Sequence, residues 1–253
     1  MTGGELARAA AAGARTFGLR GATPRATFEL RRAAGLLRRA PRPIREAVGT
    51  SPLPPGWPFV PDAARLRSAV DRTAALDRAQ RVLAGEHHAY RWTWRPRPRS
   101  PEDWREFERT QAGARAPWFA SAENHGGATD VKDAWEPGRF AWAYDLARGY
   151  LITGEDRFAN EFWTTLEAFV ESCPPFGGVQ WGCGQETAIR AFALLWAEGT
   201  LAGAPSSTPG RLTMLRELLA VSAERIVDAI AYALSQRNNH GISEAAGLIA
   251  IGA

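Results

Sequence analysis

The sequence predicts an all-α protein made of antiparallel helical hairpins. Apolar residues recur at three- and four-residue spacing in runs that start near positions 137, 156, 186, 211 and 241. The breaks between these runs are short, and short connections place successive helices side by side in opposite directions. From Trp135 onward, no run alternates apolar and polar residues as a half-buried strand would.

The chain divides into two predicted parts. Residues 1–60 are interpreted as an extension rich in Arg, Ala and Pro, with one amphipathic helix near 27–39 and a proline-dense connector. Residues 61–253 form the main domain, whose first helix is predicted to start at Pro61-Asp62 and to cover 63–83. Residues 86–134 contain many prolines and aromatic residues, so we expect loops with short helices there.

Five helices are predicted after Trp135. Pro137 is a favoured first-turn residue and is taken as the opening of the first of them. Gly199 is the predicted C-terminal cap of the third. The predicted ranges, in order, are 137–153, 156–173, 186–198, 211–236 and 243–251.

Composition narrows the range of partners. Hydrophobic residues make up 45% of the 253 residues, with ten Trp and eleven Phe, which is ample for a buried core. The net charge of +4 is modest and mildly favours an anionic partner. Lys132 is the single lysine beside thirty arginines, which indicates a coding bias rather than a nucleic-acid surface. Neither a nucleic-acid motif nor an apolar stretch long enough for a membrane span occurs, so we expect neither partner.

The cellular location and the state of the cysteines are linked. Glu5 and Arg8 interrupt any apolar signal core, so the chain is either cytoplasmic or missing a leader. Cys173 and Cys183 flank a loop rich in Pro and Gly, and they could form a disulfide if the protein is exported. Both the bridged and the free state remain open from the sequence.

Metal and cofactor sites lack support in the sequence. Adjacent residues such as His87 and His88 do not converge on one metal, and two lone cysteines fit no zinc spacing. The phosphate-binding and nucleophile-elbow motifs are absent. We therefore expect no metal and no cofactor.

Two clusters share one layout, in which an aromatic residue is followed by a glutamate at a predicted helix opening and then by an arginine. They are Trp135, Glu136 and Arg139, and Trp181, Glu186 and Arg190. If both helix openings face the same side, these residues line one rim suited to sugar stacking and carboxylate pairing. The alternative is that each Glu–Arg pair is a structural ion pair within its own helix.

The most informative residues lie in the segment Asn238-Asn239-His240. An amide donor beside a titratable ring suits the task of holding a carboxylate and moving a proton next to it. If the helix continues, His240 and Glu244 share a face, so that Glu244 could orient the imidazole. The alternative is that the asparagines cap a helix junction and that the histidine is simply packed or exposed.

Four ordered blocks together resemble the heparinase II/III-like polysaccharide lyases and their alginate-lyase relatives. The resemblance covers about residues 75 to 253. The blocks are Asp130-x-Lys132-x-x-Trp135-Glu136-x-x-Arg139-Phe140, the hairpin segment Ala147 to Ala159, the segment from Pro174-Pro175 through Trp181 and Glu186 to Arg190, and Asn239-His240 with Glu244-Ala245-Ala246-Gly247.

This resemblance implies a fold and a reaction. The fold is an incomplete (α/α) toroid, followed in the family by an antiparallel β-sandwich. The reaction is β-elimination at a uronic acid of an acidic polysaccharide. Asn239 would neutralise the substrate carboxylate, and His240 would assist or take part in proton abstraction. The family's catalytic tyrosine lies downstream of this block, so we expect the 253 residues to be the leading part of a lyase and only weakly active alone.

Two other functions remain open from the sequence. A glycoside hydrolase on a similar toroid would need two carboxylates across a cleft, and Glu136 and Glu186 are the available pair. A non-catalytic carbohydrate-binding or biosynthesis-associated protein could keep the fold without the chemistry. The reaction product separates these alternatives, because only a lyase leaves an unsaturated, ultraviolet-absorbing uronate.

Overall fold

A computed structural model describes residues 23–37, 64, 68, 71–90, 92–109, 118–121 and 130–252. The predicted all-α class is confirmed for this part of the chain. Its helices are α1 (23–33), α2 (Arg72–Leu83), α3 (Pro101–Arg109), α4 (Trp118–Ser121), α5 (Val131–Gly138), α6 (Ala143–Thr153), α7 (Asp156–Ser172), α8 (Gly184–Leu201), α9 (Pro209–Gln236) and α10 (Asn239–Gly252), with a single 3-10 turn at Val179–Trp181.

A small β-hairpin is the main element that the sequence did not reveal. Strands β1 (Glu86–Ala89) and β2 (Thr93–Pro96) pair antiparallel, with His88 opposite Trp94. The two rings stack with their centroids 4.9 Å apart. Strands of four residues are too short for a period-of-two pattern to emerge, which explains why only loops and short helices were predicted here. The short helices themselves are present as α3 and α4.

The predicted helix opening at Pro137 is wrong. The helix in this region starts upstream, where the Asp130 side chain accepts a hydrogen bond from the Lys132 backbone N–H and caps α5. Pro137 therefore lies in the last turn of α5, and α6 begins only at Ala143. Phe140, at a φ of +58°, lies in the turn between them. Consequently Trp135, Glu136 and Arg139 lie at the end of a helix rather than at its start.

The later helices agree closely with the predicted ranges. Gly154 ends α6 in the left-handed conformation, at φ +73°, as expected for a C-terminal glycine. Thr208 caps α9 by accepting a hydrogen bond from the Arg211 backbone N–H. The predicted cap at Gly199 is wrong, because α8 continues to Leu201 and its C-cap is Ala202.

Helix α8 is the centre of the packing. It contacts α6, α9 and α10, while α6 also packs on α2 and α7, and α7 packs on α3. The predicted inward stripe of α7 is confirmed, because Phe158, Phe162, Leu166 and Phe169 are fully buried. Burial of each such side chain contributes about 1.5–3 kcal/mol. Pairs joined by short loops, α6 with α7 and α8 with α9, form the expected helical hairpins.

Part of the predicted N-terminal extension belongs to the folded core. Phe28 on α1 is buried, and its ring lies 5.1 Å from that of Tyr232 on α9. Arg31 forms an ion pair with Asp228 at 3.1 Å. The helix predicted near 27–39 is thus present as α1, with a shifted range. The proline-dense connector and the predicted helix start at Pro61-Asp62 lie outside the described residues.

Gly247 is expected to be required at the contact between α10 and α8. A Cβ atom there would lie 2.7 Å from the Cβ of Ala188 and 3.2 Å from its Cα, closer than packed carbons tolerate. We expect Gly247→Ala to lower the free energy of unfolding by about 1–3 kcal/mol. Urea unfolding followed by circular dichroism measures the change.

Gly210→Ala is the matched control for this prediction, because Gly210 also lies in a helix but a Cβ atom added there would have no neighbour within 4 Å among the described residues. It should raise stability by up to about 1 kcal/mol through helix propensity. A Gly247→Ala protein as stable as the wild type would show that the two helices can separate without cost.

Candidate functional site

The junction between α9 and α10 carries the predicted catalytic residues. Arg237 ends α9 in the left-handed conformation, at φ +51°, and the next helix begins at Asn239. Asn238 Oδ1 accepts a hydrogen bond from the His240 backbone N–H at 3.0 Å, and its Nδ2 donates to Gln236. Asn238 therefore acts as a cap, as the structural alternative predicted, and its side-chain amide bonds within the helix junction.

The side chain of Asn239, unlike that of Asn238, is not used within the helix junction. Its side chain is exposed, and its amide forms no hydrogen bond with any residue that the structure describes. Its backbone carbonyl is used, since it accepts a hydrogen bond from Ser243 Oγ at 2.9 Å. The amide is thus held on a helix terminus with both its donor and its acceptor directed to a ligand or to water.

His240 lies between two acidic groups. Its Nδ1 is 3.9 Å from Glu244 Oε1, so the prediction that these two side chains share a helix face is confirmed. The same nitrogen is 3.9 Å from the sulfur of Cys183, which is the N-cap residue of α8. The Cys183 side chain and the Glu244 carboxylate raise the pKa of His240 to about 10. The ring is therefore an imidazolium at neutral pH, and its Nε2 has no partner among the described residues.

A pocket of about 80 Å³ surrounds this histidine. Part of its wall is aromatic and comes from α1, α4, α5 and α9, which contribute Phe28, Trp118, Phe119, Trp135 and Tyr232. Arg225 lies at the pocket wall, fully buried, and donates hydrogen bonds to the carbonyls of Trp181 and Gly182. Trp135 is the one predicted rim aromatic that reaches this pocket, while its Nε1 donates to Val179 O at 3.0 Å.

The predicted Glu136–Arg139 ion pair is confirmed, and Glu186 joins it. Arg139 donates from Nε and Nη2 to the two oxygens of Glu186, at 2.5 and 2.9 Å. Both carboxylates are buried, at 6% and 4% exposure, and they share one guanidinium. Glu186 thus pairs with the C-cap residue of α5 rather than with Arg190 in its own helix, the partner that the structural alternative gave it.

The interpretation of Trp181 and Arg190 as rim residues is wrong. Both side chains have no exposed surface. Trp181 donates its Nε1 hydrogen to the Cys173 carbonyl at 2.9 Å. Arg190 donates to the carbonyls of Gly138 and Gln180 at 2.7 and 2.6 Å. The arginine bonds to backbone groups left unpaired at a helix end and a turn, so it serves the fold and not a ligand.

A second and larger cavity was not predicted. This cleft of about 460 Å³ is lined by Arg78, His87, His88, Glu136, Ala141, Trp142, Tyr144, Asp145 and Arg148. Asp145 is buried and pairs with Arg78 and with Arg148, each at 3.1 Å. Because Glu136 lines the cleft and the adjacent Trp135 lines the smaller pocket, helix α5 separates the two cavities. Glu136 is the predicted rim residue that lines the cleft, whereas the paired histidines in its wall were considered only as metal ligands.

The two histidines of β1 have different environments. Burial, together with the nearby Arg97 charge, lowers the pKa of His87 to about 4, so that this ring is neutral. His88 faces the cleft and stacks on Trp94. Among the described residues, no group of three or more His, Cys, Asp and Glu side chains is arranged to hold a metal ion.

Two further findings concern the open alternatives. Cys173 and Cys183 are both free thiols, so the disulfide considered from the sequence is not formed. Within the described ranges, every helix is too short or too polar to cross a bilayer.

Comparison of the chain with protein-family models, with curated proteins and with solved structures found no match in any of the three.

Proposed function

We propose that this chain forms the helical toroid of a polysaccharide lyase that cleaves uronic-acid-containing polysaccharide by β-elimination. The observation that carries the proposal is the pairing of Asn239 and His240 at the start of α10. One presents an amide without a hydrogen-bond partner among the described residues, and the other is an imidazolium at the mouth of a pocket. A neutral hydrogen-bond donor next to a cation is suited to binding a carboxylate.

The chemistry follows from how a uronate reacts. The hydrogen on C5 is only weakly acidic while the neighbouring carboxylate carries its full negative charge. Hydrogen bonds and positive charge at that carboxylate stabilise the extra charge that develops as the proton leaves. The double bond then forms between C4 and C5, and the leaving oxygen takes up a proton.

Within this reaction the raised pKa of His240 defines its role. An imidazolium at neutral pH cannot accept the C5 proton, so His240 assists by holding charge at the carboxylate beside Asn239. Glu244 keeps the ring charged and oriented from the same face of α10. Of the two roles that the resemblance implied for His240, we therefore favour assistance over proton abstraction.

The packing of the helical hairpins supports the toroid part of the proposal. Hairpins α6–α7 and α8–α9 pack through α6 and α8, and α10 continues the series against α8 and α9. In such an arrangement the pocket at His240 and the cleft behind α5 would be neighbouring parts of one substrate groove. The cleft, with Arg78 and Arg148 in its wall, has room for a sugar unit next to the one that reacts.

The glycoside hydrolase alternative is less well supported by the geometry. Its two carboxylates would have to stand on opposite sides of the scissile bond, with one of them protonated. Glu136 and Glu186 are instead bound to the same guanidinium of Arg139, an arrangement that leaves no space between them for a sugar. A carbohydrate-binding protein without activity would need the same contact between Asn239 and a carboxylate. Only an experiment distinguishes it from a lyase.

The experiment is to incubate the protein with alginate, heparan sulfate and glucuronan, and to record ultraviolet absorbance together with reducing ends. A lyase produces both signals in equal amounts from at least one polymer. Reducing ends without absorbance would establish hydrolysis instead. Binding without either product would establish the non-catalytic alternative.

A further inference from the structure

The function proposed above leaves one reactive side chain unused. Cys183 is half-buried, is not in a disulfide, and is the N-cap residue of the 18-residue helix α8. Its backbone carbonyl accepts hydrogen bonds from the backbone and the side chain of Thr187, which fixes the residue at the helix start. Its sulfur lies 3.9 Å from His240 Nδ1, so the thiol has an imidazole as its direct neighbour.

Positively charged groups predominate around the sulfur. His240 and Glu244 face it from α10, and Arg225 faces it from α9. Helices α1, α4 and α5 contribute only aromatic rings, and α9 adds Tyr232. The sulfur is therefore surrounded by three positive groups and one negative group. The positive groups are an imidazolium, a guanidinium and the N-terminus of a helix, and the negative group is a carboxylate. Cysteines in such surroundings are typically nucleophilic.

Unsatisfied polar atoms mark the same pocket. Arg225 Nη1 and Glu244 Oε2 are both buried, and neither has a hydrogen-bond partner among the described residues. Their side chains are only 1% and 2% exposed, and both line the pocket. Unpaired charged atoms are costly in a protein interior, and at a pocket wall they can bond to a ligand.

We propose that Cys183 is a nucleophilic thiol and the position at which small uncharged electrophiles modify this protein, with His240 as its counter-ion. The sulfur attacks the electrophilic carbon, the new S–C bond forms, and the leaving group departs with its electron pair while the proton stays on His240. The pocket volume of about 80 Å³ restricts the reagent to a few heavy atoms. A group added here would occupy the space beside the imidazolium.

This inference does not rest on the lyase proposal, because its readout is the mass of a peptide and not a reaction product. The native protein is treated with iodoacetamide, quenched at intervals and digested, and the alkylated fraction of each cysteine is measured by mass spectrometry. Cys173 is an internal reference, since it is 2% exposed and burial raises the pKa of its thiol. We expect Cys183 to react at least about tenfold faster than Cys173 at pH 6.5.

Accessibility alone could produce that difference, so His240→Gln is the decisive variant. Loss of the imidazolium should slow alkylation of Cys183 by about fivefold or more at pH 6.5. The difference in rate between the variant and the wild type should disappear near pH 10, where an ordinary thiol is ionised without a neighbouring cation. His88→Gln, the same change in the other cavity, should leave the rate unaltered. A His240→Gln protein that is alkylated at the wild-type rate at pH 6.5 overturns the proposal.

The wild type provides a second test that needs no variant. Free glutathione, an accessible thiol without a neighbouring imidazole, is alkylated under the same conditions. We expect Cys183 to react at least about threefold faster than glutathione at pH 6.5. An equal or lower rate at Cys183 would overturn the proposal, even if His240→Gln failed to fold.

Discussion

Replacing Arg190 with methionine is expected to lower the free energy of unfolding by about 3–5 kcal/mol, the usual cost of breaking a buried charged network. The guanidinium has no exposed surface and donates to the carbonyls of Gly138 and Gln180, at 2.7 and 2.6 Å. Methionine fills much of the same volume but donates no hydrogen bond. Both carbonyls would then be left unpaired in the interior, at about 1–3 kcal/mol each.

The surroundings of Arg190 add to this loss. Its guanidinium lies 4.7 Å from the ring centroid of Phe169 and 5.3 Å from that of Trp181, so two cation–π contacts would disappear. Burial raises the pKa of Glu108 to about 7, although hydrogen bonds from the backbone of Val179 and Gln180 and the charge of Arg190 act in the opposite direction. Without Arg190 the ionised form of this buried glutamate becomes less favourable still.

Urea unfolding and thermal melting measure the effect of Arg190→Met. Arg157→Met is the matched control, because Arg157 pairs with Glu155 on the surface and its side chain is 50% exposed. Exposed ion pairs contribute at most about 1 kcal/mol, so this control should melt close to the wild type. A loss of less than about 1 kcal/mol for Arg190→Met would mean that water or a backbone shift satisfies the two carbonyls.

The same arginine illustrates why some elements were predictable and others were not. Helix α7 was predicted with its inward stripe, because the spacing of Phe158, Phe162 and Phe169 is a local property of the sequence. The boundary at Pro137 was not, since it depends on a cap at Asp130 and on the carbonyl of Gly138, which is bonded to Arg190 from another helix. Contacts between distant segments help to fix such boundaries, and these contacts cannot be identified from a single sequence.

The candidate site also contains contacts that were predictable from the sequence and contacts that were not. The pairing of His240 with Glu244 was predicted because a helix places residues four apart on one face. The position of Cys183 beside His240 was not, because it requires α8 and α10 to pack together. The alternative in which Arg190 pairs with Glu186 used the same local rule and does not hold, because Arg190 donates to the carbonyls of Gly138 and Gln180.

Asn239→Ala is expected to lower the rate of ultraviolet-absorbing product formation by about 10²–10³-fold, the usual cost of removing one donor from developing negative charge. The side chain is exposed and forms no hydrogen bond with any described residue, so the fold should be unaffected. Its amide would donate to a uronate carboxylate more strongly in the transition state than in the bound substrate. The loss should therefore appear in kcat more than in KM.

The control is Asn160→Ala, because Asn160 is an exposed asparagine on α7 whose Oδ1 accepts a hydrogen bond from Arg211. It should leave the rate within about twofold of the wild type, since a surface hydrogen bond of this kind has no part in catalysis. If Asn239→Ala weakened polymer binding but left the rate per bound chain unchanged, Asn239 would be a binding residue only. Because an amide held at a helix terminus can serve either role, the division of the effect between kcat and KM decides whether Asn239 acts in catalysis or only in binding.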